Sequence, residues 1–257
     1  DGGDEAPGPG RRRQEIRFRP LRVAFYGDPD FDVEARATSR LPVYLSATGD
    51  CTVYGLSVHV VTAGRCWITA QQPGNDAFDP APEVVQVLPI RKARQRIAAA
   101  DLPPVVAFGS GTLFASMRSS SGLPVVISAV GSCASDGATI RLTGVGGCVI
   151  TGHQPGSSNY LAAPIVEIGL TVVKGEQTIR LPDLGTAEYG PDDVPYVPVA
   201  NSGLAVKITV EGSCSFTGRA LHILASGTCT IVAEQPGDEN YQPAPKVVAT
   251  VSVVRPD

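Results

Sequence analysis

Six cysteines are the residues whose type and spacing most clearly imply chemistry in this sequence of 257 residues. They stand in three C-x14-C pairs, which are Cys51 and Cys66, Cys133 and Cys148, and Cys214 and Cys229. Paired cysteines either form disulfides or bind zinc. Zinc sites typically combine close C-x2-C pairs with a second set of ligands, and the C-x14-C pattern has neither. The spacing therefore favours disulfides, although six cysteines formally allow fifteen pairings.

Four acidic residues alternate along one short stretch and suggest a second kind of site. They are Asp28, Asp30, Asp32 and Glu34. On a β-strand, residues two apart share one face, and carboxylate oxygens are ligands that calcium prefers. The same pattern also suits a solvated edge strand whose charges oppose aggregation. We favour the edge strand and expect no metal and no other cofactor.

Two further signals for ligand binding are weaker. Trp67, the single tryptophan, follows Cys66, and we expect it to pack against a disulfide rather than to form a platform for stacking sugars. Residues 109–111 read Gly-Ser-Gly, but no helical pattern follows them, so a phosphate-binding loop is not expected.

The composition is that of a globular protein, with 43% hydrophobic and 18% charged residues. The net charge of −4 does not favour binding to nucleic acid. No apolar run approaches the roughly 18 residues that a membrane span requires. Because the sequence begins at Asp1 rather than Met, we expect that a leader was removed or that a longer protein surrounds this chain.

Charge is distributed unevenly along the chain. Residues 11–94 carry a net charge of +3, and residues 176–257 carry −5. One interpretation is that the charged residues lie on a solvated tail and on exposed strand faces. The alternative is that the positive first part of one chain is complementary to the negative last part of another. For the second case, the candidate self-assembly contacts are Arg11, Arg12, Arg13, Asp238 and Glu239.

A repeat of about 82 residues organises the sequence. Cys66, Cys148 and Cys229 lie 82 and 81 residues apart, and the repeat starts at the strings QEI, QRI and QTI. We predict a tail over residues 1–13 and three domains, over residues 14–90, 95–174 and 176–255. The repeat symmetry selects one cysteine pair in each repeat, and each disulfide should stabilise its domain by about 3 kcal/mol in the chain-entropy model. Disulfides indicate an oxidising compartment outside the cytosol.

Apolar residues alternate with polar ones in short segments of each repeat. Residues 57–61, 139–143 and 220–224 match one another, as do the closing segments 84–88, 166–173 and 247–254. This period of two predicts strands with one buried face, and no helical period persists over ten residues. Short strands between turn signals predict an all-β chain of antiparallel sandwiches, and the short joins at residues 89–94 and 174–176 predict an elongated rod.

The histidines do not form a recognisable catalytic pattern. His59 and His222 occupy equivalent positions, where the second repeat has Arg141, and His153 has no histidine counterpart. We find no serine or carboxylate at a recurring offset from them, so an enzyme is not expected.

The most regular stretch of each repeat follows its second cysteine. Residues 66–82, 148–164 and 229–245 each contain Gln-Pro-Gly, then an aromatic residue and finally Ala-Pro. Pro-Gly predicts a turn, and proline before the last strand interrupts ladder bonding. We therefore interpret the stretch as a strand, a turn and a second strand. Between the turn and the second strand, an aromatic side chain, called the plug here, covers the end of the sandwich core. These residues are Phe78, Tyr160 and Tyr241.

These motifs resemble the bacterial immunoglobulin-like repeats of large secreted and surface proteins. The shared pieces include Tyr26-Gly27-Asp28, Tyr189-Gly190-Pro191 and the Ser-Gly-Leu-Pro-Val string at residues 121–125. The resemblance covers about residues 14–254 and implies three tandem immunoglobulin-like sandwiches. It also implies a secreted or cell-surface protein that serves as a spacer, stalk or adhesive module.

Two functions follow as hypotheses. The first is an extracellular structural protein that assembles head to tail into a surface filament, in which a neighbouring copy orders the tail at residues 1–13. The second is an adhesin stalk or binding module that presents loops to a glycan or to a protein receptor. The expected partners are therefore other copies of the chain or other surface proteins.

Overall fold

The computed structural model describes residues 10–190 and 192–255. Within these residues, 27 short strands and no helix are present, which confirms the all-β prediction. Nine of the predicted tail residues, 1–9, and Pro191 of the third Tyr-Gly motif lie outside the described residues. No helix in the described part of the chain is long and apolar enough to cross a membrane.

Each repeat contributes nine strands at corresponding positions. Those of the first repeat are β1 (Ile16–Phe18), β2 (Ala24–Phe25), β3 (Phe31–Asp32), β4 (Ala35–Ala37), β5 (Tyr44–Gly49), β6 (Cys51–Tyr54), β7 (Ser57–Val60), β8 (Gly64–Gln71) and β9 (Val84–Arg91). Those of the second are β10 (Ile97–Ala99), β11 (Val105–Ala107), β12 (Leu113–Phe114), β13 (Met117–Ser119), β14 (Val126–Gly131), β15 (Cys133–Asp136), β16 (Thr139–Leu142), β17 (Gly146–His153) and β18 (Val166–Val173). Those of the third are β19 (Ile179–Arg180), β20 (Thr186–Glu188), β21 (Val194–Pro195), β22 (Val199–Ala200), β23 (Lys207–Gly212), β24 (Cys214–Thr217), β25 (Ala220–Ile223), β26 (Gly227–Glu234) and β27 (Val247–Val254).

The strands of a repeat form two main sheets. In the first repeat, one sheet has the order β2-β9-β8-β5 and the other has the order β3-β7-β6, while β1 pairs with β4. All these pairs are antiparallel except that of β2 with β9, which is parallel. The third repeat has the same arrangement, with β20 parallel to β27. Three such repeats make the chain a tandem array of immunoglobulin-like sandwiches.

The core of each repeat forms where the apolar residues of the two sheets face each other. In the first repeat, Val58, Ile68 and Leu88 are fully buried, and their strands alternate between buried and exposed residues. In the third repeat, Leu221 and Ile231 are buried in the same way. This alternation follows from the strand geometry, because successive side chains point to opposite faces of a sheet.

A disulfide joins the two sheets within each core. In the first repeat, Cys51 on β6 is bonded to Cys66 on β8, with the Cα atoms 5.5 Å apart. The other two disulfides are Cys133–Cys148 and Cys214–Cys229.

The described residues group into two compact units. The first comprises residues 10–98, 118–125 and 153–165, and the second comprises residues 99–117, 126–152 and 166–255. The division passes through the second repeat rather than between repeats. The predicted domain boundaries, at residues 14–90, 95–174 and 176–255, therefore remain a prediction.

The expectation that Trp67 packs against the disulfide is wrong. Cys66 is fully buried on β8, whereas the next residue, Trp67, is exposed on the other face of the sheet. Trp67 lies against Gly49 on the neighbouring strand β5, where an added Cβ would be 3.2 Å from the indole ring. The cause is the period of two, which sends consecutive side chains to opposite faces.

Candidate functional site: the junctions between repeats

An aromatic pair marks the join between the first two repeats. Tyr26 follows β2 in the first repeat, and Tyr160 follows the Pro-Gly turn of the second. Their ring centroids are 5.3 Å apart and the ring planes are inclined by 83°. Such an edge-to-face contact is favourable because the positive edge of one ring meets the negative face of the other. The predicted plug therefore contacts the neighbouring repeat, which the sequence analysis did not foresee.

Hydrogen bonds surround this aromatic pair. The Asn159 Oδ1 atom accepts a bond of 2.9 Å from the backbone N–H of Ala63 in the first repeat. The Lys92 ammonium donates to the carbonyl oxygen of Ser157 at 2.7 Å. The backbone of Ala93 also pairs with the turn, because its N–H donates to Asn159 and its carbonyl accepts from the N–H of Leu161. The linker is thus held as a short parallel bridge against the second repeat.

The same contacts recur between the second and third repeats. Phe108 and Tyr241 meet edge to face, with centroids 5.4 Å apart and planes at 79°. Asn240 accepts a bond of 3.1 Å from the N–H of Val145, and Lys174 donates to the carbonyl of Asp238 at 2.5 Å. Gly175 replaces Ala93 in the linker bridge. Two joins built from equivalent residues are therefore a property of the repeat itself.

Gly175 is required by the close approach of the backbone at the second junction. A Cβ added to it would lie 2.2 Å from the carbonyl oxygen of Phe108, which is far inside contact distance. The turn glycines have a similar reason. Gly156 adopts a φ of +88°, and a Cβ there would be 2.5 Å from the carbonyl oxygen of Tyr160.

Buried glutamine pairs hold the junction turns in place. Six glutamines are the buried polar residues of the described chain, and they lie in three pairs, which are Gln14 and Gln72, Gln95 and Gln154, and Gln177 and Gln235. In the second repeat, the Gln95 amide donates to Gln154 Oε1 at 2.5 Å and to the carbonyl of Leu161 at 2.7 Å. Gln154 Oε1 also accepts from the N–H of Gly156 at 2.6 Å. The side-chain amides thus bind backbone groups of the turn that would otherwise be buried without a hydrogen-bond partner.

The pairing of these glutamines is not evident from the local sequence pattern. The strings QEI, QRI and QTI mark the repeat starts, and Gln-Pro-Gly predicts a turn. The sequence does show that both glutamines recur in every repeat, beside the ends of strands. The two residues of a pair are 58 or 59 positions apart. A polar residue that recurs beside a core needs a partner, and the second glutamine was the available one.

In the first repeat, the side chain of Arg12 lies against the aromatic residue of the turn. Its guanidinium lies over the ring of Phe78, 4.4 Å from the centroid. The Arg12 backbone pairs with the turn just as Ala93 and Gly175 do, because its N–H donates to Ala77 and its carbonyl accepts from Asp79. Residues 11–13 therefore correspond to the two linkers. Of the predicted assembly contacts, Arg12 is thus engaged within its own repeat.

Asp238 and Glu239 lie at the internal junction of the second and third repeats. The Asp238 carboxylate accepts from the backbone N–H groups of Asn240 and Tyr241, at 2.8 and 2.7 Å. Its role in the structure is therefore to cap the turn that carries Tyr241. The pairing of these two acids with Arg11, Arg12 and Arg13 of another copy remains a prediction.

A basic cleft opens beside the first junction. It has a volume of about 740 Å³, and its charged lining residues are Arg91, Lys92 and Arg94 with one carboxylate, Asp28, beside Phe25 and Tyr26. Phe25 is 43% exposed, and the two arginines are also exposed. At the second junction, Lys174 stands in the place of Lys92, but Val173 and Glu176 stand in the places of Arg91 and Arg94, so the two arginine charges are particular to the first.

The statement that no carboxylate recurs at a fixed offset from the histidines is wrong. His59 Nδ1 lies 2.6 Å from the Asp30 carboxylate, and His222 makes the same contact with Asp193. Both offsets are 29 residues, and the pairs lie between β3 and β7 or between β21 and β25. The shared offset is not evident from the sequence because each aspartate precedes a strand of only two residues, β3 or β21.

The four alternating acids are all exposed, on or beside β3, which is the edge strand of the β3-β7-β6 sheet, as the favoured interpretation predicts. Only Asp32 lies in a strand, β3. Asp28 accepts from the N–H of Phe25, Asp30 contacts His59, and Glu34 pairs with Arg19 at 3.0 Å. Within residues 10–190 and 192–255, no group of three or more His, Cys, Asp or Glu side chains is placed to hold a metal ion.

Comparisons with known proteins give distant similarities only. The sequence matches no protein-family profile and no curated protein. The Drosophila N-cadherin EC1-4 structure is 12% identical, with a TM-score of 0.31 over 95% of this chain and 76% of that chain. Sidekick-1 immunoglobulin domains 1–5 are 11% identical, with a TM-score of 0.38 over 94% and 58%. Domains 1–6 of the surface layer protein SbsC are 12% identical, with a TM-score of 0.34 over 98% and 41%.

Proposed function

We propose that this chain is an extracellular structural protein of a bacterial surface and that its copies assemble head to tail into filaments. The observation that carries the proposal is the recurrence of one built junction, with Tyr26 and Tyr160 at the first join and Phe108 and Tyr241 at the second. A junction that is repeated with the same contacts couples each repeat to its neighbour, because aromatic, ammonium and amide groups hold the repeats together in addition to the linker.

The disulfides support an extracellular location. All six cysteines are paired in the structure, one pair in each repeat. Such bonds persist in oxidising surroundings and are rare in the cytosol. Small sandwiches also benefit from them, because a repeat of this size buries only a modest core.

Negative-stain electron microscopy of the unreduced chain tests the proposal. We expect fibres whose axial period equals one chain and whose abundance rises with protein concentration. A sample reduced and alkylated at its cysteines is the control for nonspecific aggregation. Dispersed particles at the highest attainable concentration would overturn the filament proposal.

The basic cleft at the first junction favours a second candidate function, an adhesive module that binds an acidic glycan. Arg91, Lys92 and Arg94 supply positive charge, and Phe25 supplies an exposed aromatic face on which a sugar ring can stack. Lys92 already donates to Ser157, so the two arginines are the residues available for carboxylate groups.

Titration calorimetry with polygalacturonate tests this second function. We expect saturable binding that the Arg94→Glu variant, which copies the second junction, weakens severely. Arg36→Glu is a matched control because Arg36 is exposed on β4 outside the cleft. Equal binding by both variants, or equal binding of neutral dextran by the wild type, would refute a specific acidic-glycan site.

A further inference from the structure

Three large aromatic side chains are exposed on the outer face of one sheet in the first repeat. They are Phe25 on β2, Trp67 on β8 and Tyr44 on β5, and they are 43%, 43% and 59% exposed. The residue next to each of them packs into the core, so all three side chains lie on the face that is turned to solvent. A patch of exposed aromatic residues commonly marks a binding surface.

The fold itself does not require aromatic residues at these places. The second repeat has Ala107, Val149 and Val126 there, and the third has Glu188, Thr230 and Lys207. Both repeats nevertheless form the same four-stranded sheet, in the orders β11-β18-β17-β14 and β20-β27-β26-β23. The aromatic residues of the first repeat therefore have a role other than stabilising the sheet.

The strand register sets the three aromatic residues in a diagonal row across the β2-β9-β8-β5 sheet. Phe25 is paired with Arg91, which lies four residues after the partner of Trp67 on β9. The Cα atoms of Phe25 and Trp67 are thus two strands and four residues apart, or about 16 Å. Tyr44 lies one strand further, four residues from the partner of Trp67 on β5, or about 14 Å from Trp67 in the same direction. The whole row is about 30 Å long.

Two arginines lie along this row. Arg91 is beside Phe25, and Arg65 lies two residues before Trp67 on the same face of β8. Both arginines are exposed, and neither forms a salt bridge within residues 10–190 and 192–255. The row therefore combines flat apolar rings with unpaired positive charge.

The row is continuous with the basic cleft at the first junction. Phe25 and Arg91 line that cleft, where Arg94 adds a further positive charge. Asp28, the carboxylate of the cleft, accepts a hydrogen bond from the N–H of Phe25. Glu83, at the other end of the row, accepts one from a glutamine side chain. The positive charges along the row and the cleft outnumber these two carboxylates.

Aromatic rings interspersed with guanidinium groups suit an acidic polysaccharide. Sugar rings stack on aromatic side chains through their apolar faces, and guanidinium groups bind carboxylates in a fixed, planar geometry. Rings that are about 14 to 16 Å apart fit a linear chain that touches them in turn, rather than one small sugar.

We propose that the outer face of the β2-β9-β8-β5 sheet is a track for one strand of a linear acidic polysaccharide. The strand runs from the cleft at Phe25 over Trp67 to Tyr44. The proposal rests on the acidic-glycan binding described above as the second candidate function. It adds Trp67, Tyr44 and Arg65 to that site and makes the affinity depend on the length of the polysaccharide.

The fluorescence of Trp67 tests direct contact, because Trp67 is the single tryptophan of the chain. We expect polygalacturonate to shift the emission to shorter wavelength and to protect the indole from quenching by acrylamide, and neutral dextran to do neither. Unchanged emission and unchanged quenching at a saturating concentration of polygalacturonate would overturn the proposed contact.

Variants that copy the second repeat test the contribution of the rings. Trp67→Val and Tyr44→Val place valine where the second repeat has valine, so the sheet is expected to remain intact. Titration calorimetry should show polygalacturonate binding about tenfold weaker for Trp67→Val and a smaller loss for Tyr44→Val. Tyr54→Val is the matched control, because Tyr54 is 91% exposed on β6, which belongs to the other sheet. Circular dichroism melting checks that each variant is folded.

The length of the ligand provides an independent test. Digalacturonate is too short to reach from Phe25 to Trp67, so the wild type and Trp67→Val should bind it equally. Oligogalacturonates that span the row should bind the wild type more tightly than Trp67→Val. A ratio of the two affinities that is the same at every length would show that the rings do not form one track.

The outcomes separate this proposal from the one on which it rests. If Arg94→Glu weakens polygalacturonate binding and the variants of Trp67 and Tyr44 do not, the track is wrong and the cleft remains the binding site. If the wild type does not bind polygalacturonate, both are refuted. If Trp67→Val instead abolishes self-association in sedimentation velocity and leaves glycan binding unchanged, the face binds a second copy and the glycan track is refuted.

Discussion

The ring of Tyr160 stands edge-on to the ring of Tyr26, with centroids 5.3 Å apart and planes inclined by 83°. The two residues belong to different repeats and are 134 positions apart in the sequence. Asn159, immediately before Tyr160, binds the first repeat as well, through the N–H of Ala63. Neighbouring repeats are thus coupled by side chains of the Pro-Gly turn and not only by the peptide linker.

A double-mutant cycle at this pair should detect the coupling. We expect Tyr26→Ala and Tyr160→Ala to accelerate tryptic cleavage at Arg91, Lys92 and Arg94, because the linker is less often held against the second repeat. The two changes together should be less harmful than their sum, with an interaction of about 0.5–1.5 kcal/mol. Strictly additive effects would show that the rings do not stabilise the junction, and Tyr54→Ala provides the baseline.

The glutamine pair of the third repeat should be essential for its stability. Gln177 is 2% exposed, and its amide donates to Gln235 Oε1 at 2.6 Å and to the carbonyl of Gln242 at 2.7 Å. We expect Gln177→Leu to lower the free energy of unfolding by about 1–3 kcal/mol, because it leaves buried acceptors without donors. Thermal unfolding measures this change.

The control for the glutamine experiment is Gln242→Leu. The side chain of Gln242 is exposed, and only its backbone carbonyl takes part in the network. We expect the free energy of unfolding of this variant to lie within about 0.5 kcal/mol of the wild-type value. If Gln177→Leu were equally mild, the buried amide pair would not be what holds the turn.

Tyr196 differs from the buried glutamines because its buried hydroxyl group has no hydrogen-bond partner among the described residues. The residue is 1% exposed in the core of the third repeat. Burial raises the pKa of the Tyr196 phenol, and the nearby Asp183 carboxylate raises it further. We expect Tyr196→Phe to leave stability unchanged or to increase it by about 1 kcal/mol, since it removes an unsatisfied polar group.

The pH dependence of Tyr196→Phe gives a second test. Because the folded-state pKa lies above the unfolded value of about 10, the unfolded phenol ionises first as the pH rises, which draws the wild type towards unfolding. The wild type should therefore lose stability above about pH 10 more steeply than Tyr196→Phe. If the two proteins lost stability equally as the pH rose above this range, burial would not be keeping the Tyr196 hydroxyl protonated.

Asp50 should make the first repeat sensitive to acid. Hydrogen bonds from the Thr62 hydroxyl and from the backbone N–H of Arg65 hold the pKa of its carboxyl below the usual value of 3.8. The ionised form is favoured in the folded state, so its contribution is present above the unfolded pKa and is lost as the pH falls through the lower folded value. Asp50→Ser removes this dependence and copies Ser132 and Ser213, which stand at the same position in the other repeats.

The measurement for Asp50 is the melting temperature from about pH 5 down to about pH 2, compared between the wild type and Asp50→Ser. We expect the difference between the two melting temperatures to become smaller as the pH falls. Every other carboxyl is common to both proteins, so its contribution cancels in the comparison. A gap that is constant with pH would show that Asp50 gains nothing from being ionised.

Several elements of the fold could be read from the sequence because they depend on local pattern. The alternation at residues 57–61 predicts β7, and the run at 166–173 has the same first and last residues as β18. The period of 82 residues indicated that the strands would recur three times. Strand geometry makes these features local, since each side chain's face follows from its position in the strand.

The candidate site was less accessible, as Asp30 and Tyr160 illustrate. The sequence pattern groups Asp30 with the neighbouring acidic residues, yet it contacts His59 at the paired strands β3 and β7. Tyr160 was expected to close its own sandwich, yet its ring contacts Tyr26. In both cases the partner lies far away in sequence, and nothing in the local pattern selects it.

The sequence by itself determined the strands, the period and the cysteine spacing, because these follow from residue type and position along the chain. Only the tertiary structure decided which turns meet which repeat, how Gln177 and Gln235 share one buried network, and that Trp67 is left exposed. The physical reason is that hydrogen bonds and ring contacts are short-ranged in space, while the residues that make them lie tens of positions apart in the sequence.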